Sequence, residues 1–199
     1  MSWLRVFISL YLLFSLFVSI IWRGLVFRKQ TGKNPFILGD SETPAGYLAT
    51  WLKKLSFVVA VEVLTFSFYP DFFSSGPLMN LPIPAYLTYF GVLLLLLALS
   101  VIVLAQIQMG ESWRVGFATD EKTEIVCRGL YKYSRNPIYF GLLLTQIGFL
   151  LVLPNFVSLL VMLIDIVLLQ ITIRLEEAHL TALHGEPYLE FKRRVRRWI

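Results

Sequence analysis

Arg135, Glu176 and Glu177 are the residues of this chain best suited to chemistry. Arg135 stands in a polar, basic and aromatic stretch, Arg128 to Tyr139, between two long apolar runs. Within it, Asn136-Pro137 is a helix start. The asparagine side chain is expected to cap the free N–H groups, and proline at the first helical position loses no hydrogen bond. The positive end of that helix, with Arg135 beside it, suits an anionic group. Glu176 and Glu177 lie just past the last apolar run, and adjacent carboxylates near a membrane are costly unless they face a partner or water. An anion site and a cation site at one depth would together suit a zwitterion. Plainer roles stay open: Arg135 as a headgroup anchor, the tyrosines as an interfacial belt, the acidic pair as a solvated helix end.

Other candidates carry less. Glu176 and His179 share a helix face at a spacing that can bind iron, but a di-iron site needs that motif twice with further carboxylates, and the chain has two histidines. No metal site is expected. Glu62 and Asp165 fall within apolar runs, where each could line a cavity or bond a neighbouring helix; Asp165 suits interhelical structure. There is no glycine-rich phosphate loop, nucleophile elbow or Ser-His-Asp set.

The elements that must position these residues are membrane helices. With 57% hydrophobic residues and a mean hydropathy of +0.69, the chain has more apolar side chains than a soluble domain of 199 residues could bury. Five spans are expected: 6–22, 55–69 (begun near Leu48), 85–109, 136–153 and 156–173. The last two are joined only by Pro154-Asn155, which demands a tight antiparallel hairpin. Polar, basic segments over 23–54, 110–135 and 174–199 all fall on one face, and Arg5 lies on the other. The positive-inside rule then places the N-terminus outside, and the C-terminus and site in the cytoplasm. It also accounts for the net charge of +5 without nucleic acid. The first span ends in Trp22-Arg23 and reads as an anchor with no cleavage site. One cysteine, Cys127, excludes an internal disulfide and a cysteine-based metal cluster. Beyond the fifth span a helix continues to Leu183 and stops at His184-Gly185-Glu186-Pro187. A short basic helix, 188–198, then lies along the headgroups. The chain reads as one compact all-α integral membrane domain. Residues 1–109 form a three-span part; 110–199 carry the loop, hairpin and cytoplasmic helical tail.

Residues 110–199 resemble the isoprenylcysteine carboxyl methyltransferases and the related phospholipid methyltransferases. The resemblance rests on Gly129-Leu130-Tyr131, on Arg135-Asn136-Pro137-Ile138-Tyr139, and on the proline-turn hairpin. It continues through Glu176-Glu177 and the run from Gly185-Glu186-Pro187-Tyr188 to Val195. Asn136 stands where that family usually has histidine. The resemblance implies S-adenosylmethionine as methyl donor. It places Thr123, Glu124, Ile125, Val126, Tyr131, Arg135, Asn136, Pro137, Ile138, Tyr139, Glu176 and Glu177 at its site, with Arg135 and Glu176 catalytic. It also implies a lipophilic or prenylated acceptor that enters from the bilayer, with membrane lipid as the surrounding partner. Glu176 would take the cofactor ammonium, and Ile125 and Val126 would wall the adenine. Arg135 would steer an acceptor carboxylate, which is ionised at neutral pH because its ordinary pKa is near ~4. Alternatives are methylation of a phospholipid amine with Glu176 or Glu177 as base, an NADPH-dependent sterol or lipid reductase, and a non-enzymatic membrane scaffold.

Overall fold

A computed structural model describes residues 2–37, 42–75, 81–116 and 124–198. Helices α1 (Ser2–Leu16) and α2 (Arg23–Thr31) run on through a π-helical stretch, Phe17–Trp22, as one continuous rod. Then follow α3 (Pro44–Phe68), the short α4 (Pro70–Ser75) and α5 (Ala85–Met109). The C-terminal half contributes α6 (Pro137–Val152), α7 (Phe156–His184) and α8 (Glu186–Arg194). Extended segments pair in two places among the described residues: Phe36–Ile37 runs parallel to Val115–Gly116, and Ser134 forms a single parallel bridge with Arg196. This is an all-α membrane protein: the rod Ser2–Thr31, a helix over Ala85–Ser112 and α7 are each long and apolar enough to cross a bilayer. Helix α6 is apolar but shorter, and α3 carries Lys53, Lys54 and Glu62.

Lipid tails are as apolar as leucine, so such helices associate through close packing and polar bonds rather than hydrophobic burial. Small residues recur seven apart on α5 (Gly91, Ala98, Ala105) and on α6 (Gly141, Gly148), so the two antiparallel backbones approach closely. A Cβ at Gly148 would fall 2.8 Å from the Leu95 side chain, and one at Gly141 would fall 2.5 Å from that of Ile102. The α6–α7 turn is tied by Asn155, which caps α7 by accepting from the N–H groups of Val157 (2.8 Å) and Ser158 (3.0 Å). The Asn155 amide and the Ser158 hydroxyl both donate to Glu62 of α3 at 2.5 Å. That buried acid therefore serves the hairpin. Asp165 accepts from Gln146, joining α6 to α7 as interhelical structure.

Several expected boundaries move. The segment after Arg23 is not at first a loop: the helix continues through Gly24 to Thr31 and ends where Gly32 takes a φ of 69°. Arg23 is buried. Its guanidinium donates to the Gly110 carbonyl and lies 5.2 Å from the centre of the Trp113 ring. Helix α3 begins at Pro44, earlier than expected, because Thr43 caps it by accepting from Gly46 N at 3.0 Å. The basic tail helix stops at Arg194, short of Trp198.

Gly148→Val is expected to overpack the α5–α6 contact and destabilise the protein by about 1–3 kcal/mol. Thermal unfolding in detergent checks this; an unchanged midpoint would show that the helices are not packed this closely.

Candidate active site

The stretch before α6 is set by α5. Gly129 adopts a φ of 59°, and any Cβ there would fall 2.3 Å from the Gln108 side chain. Only glycine lets the chain pass. Gln108 Oε1 then accepts from Leu130 N at 2.7 Å, which starts a 3-10 turn, Gly129–Lys132, and buries Tyr131. Pro137 opens α6 as expected, but Asn136 does not cap it with its side chain. The amide instead donates to Glu177 Oε1 and to the Arg197 carbonyl, both at 3.3 Å. A bond to a buried carboxylate is charge-assisted, and it sets the orientation of the amide.

Glu177 is the centre of this network. It is 3% exposed. Its Oε1 accepts from Arg135 Nε (3.1 Å) and Nη2 (3.0 Å) and from Arg197 Nε (3.1 Å), and its Oε2 accepts from Arg197 Nη2 (2.7 Å). Arg135 Nη1 donates to the carbonyls of Lys192 (3.0 Å) and Val195 (2.5 Å), and Arg135 N donates to that of Arg196 (2.9 Å). Ser134 Oγ donates to the Arg197 carbonyl at 3.0 Å. The C-terminal segment is thus strapped across the start of α6. The carboxylate-steering expected of Arg135 meets a guanidinium already engaged by Glu177 and by the tail.

Glu176, one residue earlier on α7, points elsewhere. Its Oε2 accepts from the Tyr139 hydroxyl at 2.8 Å, and its Oε1 has no hydrogen bond among the described residues. Burial, and after it the charge of Glu176, push the Tyr131 phenol above its ordinary range, so that hydroxyl stays protonated. Burial, then the charges of Glu177 and Glu176, do the same to Tyr188.

Two cavities meet here. One, of about 120 Å³, is walled by Ile125, Val126, Leu180, Leu183, Tyr188 and Phe191, with Glu124, Glu176, Glu177 and His184 among its polar groups. The other, of about 390 Å³, extends between the N-terminal rod, α5 and α6, lined by Leu99, Ile102, Gln106, Pro137, Ile138, Tyr139 and Leu142. Met109, Arg114, Tyr131, Arg135, Asn136 and Glu176 line both. Leu16, Ile20 and Leu142, which line the larger cavity, are exposed. Every expected site residue that is described lies on one or both cavities; Thr123 lies outside the described residues. Sequence reasoning missed Met109, Ser112, Arg114, Leu180, Leu183 and Arg197. Leu180 and Leu183 stand four and seven residues after Glu176, a helical-face spacing that could have found them. Arg197 had no signal beyond being one of many tail cations.

A model of the phospholipid methyltransferase family matches residues 86–187, just over half of the chain. The chain belongs to the phospholipid methyltransferase family. It is also 32% identical over 96 residues to the protein-S-isoprenylcysteine O-methyltransferase of Schizosaccharomyces pombe. That match covers 46% of this chain and 40% of the yeast protein. The matched span of the family runs from the start of α5 to the start of α8, and so holds the glycine-packed helix pair, the hairpin and both acids.

Glu177→Ala would leave Arg135, whose side chain is 9% exposed, without its anion. The expected cost is about 3 kcal/mol, at the low end for a broken buried pair because Arg197 is partly exposed. Limited trypsin digestion should then cut after Arg193, Arg194 or Arg196 faster than in Glu176→Ala. Equal rates in the two variants would show that Glu177 does not hold the tail.

Proposed function

We propose that this protein is an S-adenosylmethionine-dependent membrane methyltransferase of the carboxyl O-methyl type. Its acceptor is the carboxylate of a prenylated cysteine or a similar lipid-like acid. The observation that carries this is the meeting of a small cavity on the tail side with a larger, mostly apolar one at Tyr131, Asn136 and Glu176. A polar donor and a greasy acceptor can reach one point from two directions. In this arrangement five helices span the bilayer: the N-terminal rod, α3, α5, α6 and α7. Residues 1–109 and 110–199 act as one compact domain, with the N-terminus outside and the tail and site in the cytoplasm.

The residues present fit the cofactor. Glu176 offers an oxygen to an ammonium, and Ile125, Val126, Leu180, Leu183 and Phe191 form an apolar wall for an adenine. Glu124 lines the same cavity, and Pro137, Ile138 and Tyr139 meet the cofactor from the larger one, with Tyr139 holding Glu176 in place. When bound, S-adenosylmethionine supplies an activated methyl group on a positively charged sulfur. The protein's part is alignment and exclusion of water. A carboxylate and a sulfonium lose their charges as they react, and water stabilises the separated charges, so a dry, aligned site favours the reaction. The tail, held over the site by Glu177 and Arg135, keeps that site dry. Arg135 acts here as a positioning residue, and Arg114, which lines both cavities, adds positive charge where an acceptor carboxylate would sit. No general base is required.

The family match also supports a phospholipid amine as acceptor. A protonated amine would need a base at the junction, and Glu176 is the carboxylate placed there.

Side-by-side transfer of labelled methyl to a prenylcysteine analogue and to phosphatidylethanolamine separates the two; label on the lipid alone would overturn the carboxyl assignment. Glu176→Gln is expected to weaken cofactor binding at least tenfold, because a charge-assisted contact in a dry site is lost. Titration calorimetry checks this, and wild-type affinity would remove Glu176 from the ammonium site.

A further inference from the structure

The C-terminal strap carries more positive charge than the site uses. Five of the six residues 192–197 are lysine or arginine. Two of them have acidic partners: Arg193 pairs with Glu186, and Arg197 with Glu177. Arg194 and Arg196 are exposed and make no ion pair among the described residues. The parallel bridge of Arg196 with Ser134 brings in Lys132, exposed and likewise without an ion pair, two residues before Ser134. Closing the strap thus gathers three unpaired cations near Arg135, and like charges brought together repel.

Their depth says what neutralises them. Helix α6 has 16 residues. Its length is therefore about 24 Å, against about 30 Å for the hydrocarbon core. A helix that short does not carry its first residue, Pro137, far past the edge of the core. Arg174, exposed on α7 one turn before Glu177, marks the same boundary. Ser134 stands three residues before Pro137, and the Arg197 carbonyl accepts from both Ser134 Oγ and Asn136 Nδ2. The bridged segments consequently run through the headgroup layer. Tyr133, 69% exposed beside the bridge, is a side chain suited to that layer. The aromatic side chains of α8, Tyr188 and Phe191, are buried on the smaller cavity, so contact with lipid falls to the cations.

We propose that Lys132, Arg194 and Arg196 form a binding site for the phosphate of an anionic phospholipid, and that lipid held there keeps the strap closed over the active site. Its negative charge offsets the repulsion that closure creates. Phe191 lines the cofactor cavity one residue before the first cation of the strap, so strap closure and cofactor binding favour each other. An anionic leaflet then raises cofactor affinity. This rests on the five-span arrangement and the cofactor site proposed above, but the lipid site itself is read without cofactor.

The test follows amide exchange at Arg135, whose N–H donates to the Arg196 carbonyl only while the strap is closed. The full chain is placed in nanodiscs of phosphatidylcholine alone, or of phosphatidylcholine and phosphatidylglycerol in equal parts, with no cofactor. The anionic lipid should slow exchange about fivefold or more, the effect of one cation held at an anionic surface. Lys132→Gln/Arg194→Gln/Arg196→Gln should abolish that difference. Lys53→Gln/Lys54→Gln, which removes two cations from α3, should keep it. Equal wild-type exchange in the two lipids overturns the proposal, and needs no variant to do so. A difference that survives the triple substitution also overturns it, as does equal slowing by inorganic phosphate in phosphatidylcholine alone. A second arm titrates S-adenosylhomocysteine into both nanodiscs. Tighter binding with the anionic lipid is expected, and equal affinity would overturn the link to the cofactor. Slowed exchange with no ligand binding in either lipid would uphold the lipid site and bring down the methyltransferase function instead.

Discussion

One buried carboxylate holds the functional half of this protein together. Glu177 lies on α7, yet it takes hydrogen bonds from Arg135 and Asn136 before α6 and from Arg197 near the C-terminus. Removing its charge from water would be prohibitive if it stood alone; two guanidiniums and an amide make it tolerable. The arrangement works in both directions, because Arg135 uses its remaining donors on tail carbonyls. The tail lies over the site because the acid must be neutralised. Successive residues on a helix are turned by about 100°, so Glu176 faces away from this knot and toward the cavities. Adjacent acids thus have separate surroundings, and the proposed function gives the chemistry to Glu176 and the structure to Glu177.

The remainder of the fold supplies a rigid frame for that knot. Glycines on α5 and α6 bring two backbones into contact, and the Gln108–Gly129 fit carries the register of α5 into the loop that holds Tyr131. Far from the site, Glu62 fixes the hairpin through Asn155 and Ser158, and with it the relative height of α6 and α7. That height decides whether Arg135 and the acidic pair meet. The polar residues of the spans are therefore placed where a helix must be held in register, as expected where hydrophobic burial contributes little.

Much of this was legible in the residues. The apolar runs mark α5 and α7 almost to the residue, Pro154-Asn155 gives the hairpin, and Gly185 gives the break before α8. The joint position of Arg135, Glu176 and Glu177 followed from matching depth on two neighbouring helices. What could not be read was partner choice. Sequence offers no way to decide which of two adjacent glutamates an arginine will take, or that the Asn136 amide would be turned toward a carboxylate rather than toward the helix start. The burial of Arg23 was equally hidden, because only the tertiary approach of Gly110 and Trp113 makes it possible. The larger cavity was hidden for the same reason, since its wall combines α1, the π turn, α5 and α6, which are distant in sequence.

The central claim is that Glu176 serves the cofactor while Glu177 serves the fold. A structure determined with S-adenosylhomocysteine bound tests it most directly. The account predicts the ligand's ammonium within about 3 Å of Glu176, at hydrogen-bond distance, with Glu177 still held by Arg135 and Arg197. An ammonium bound to Glu177 with the tail displaced, or a ligand outside both cavities, would contradict it.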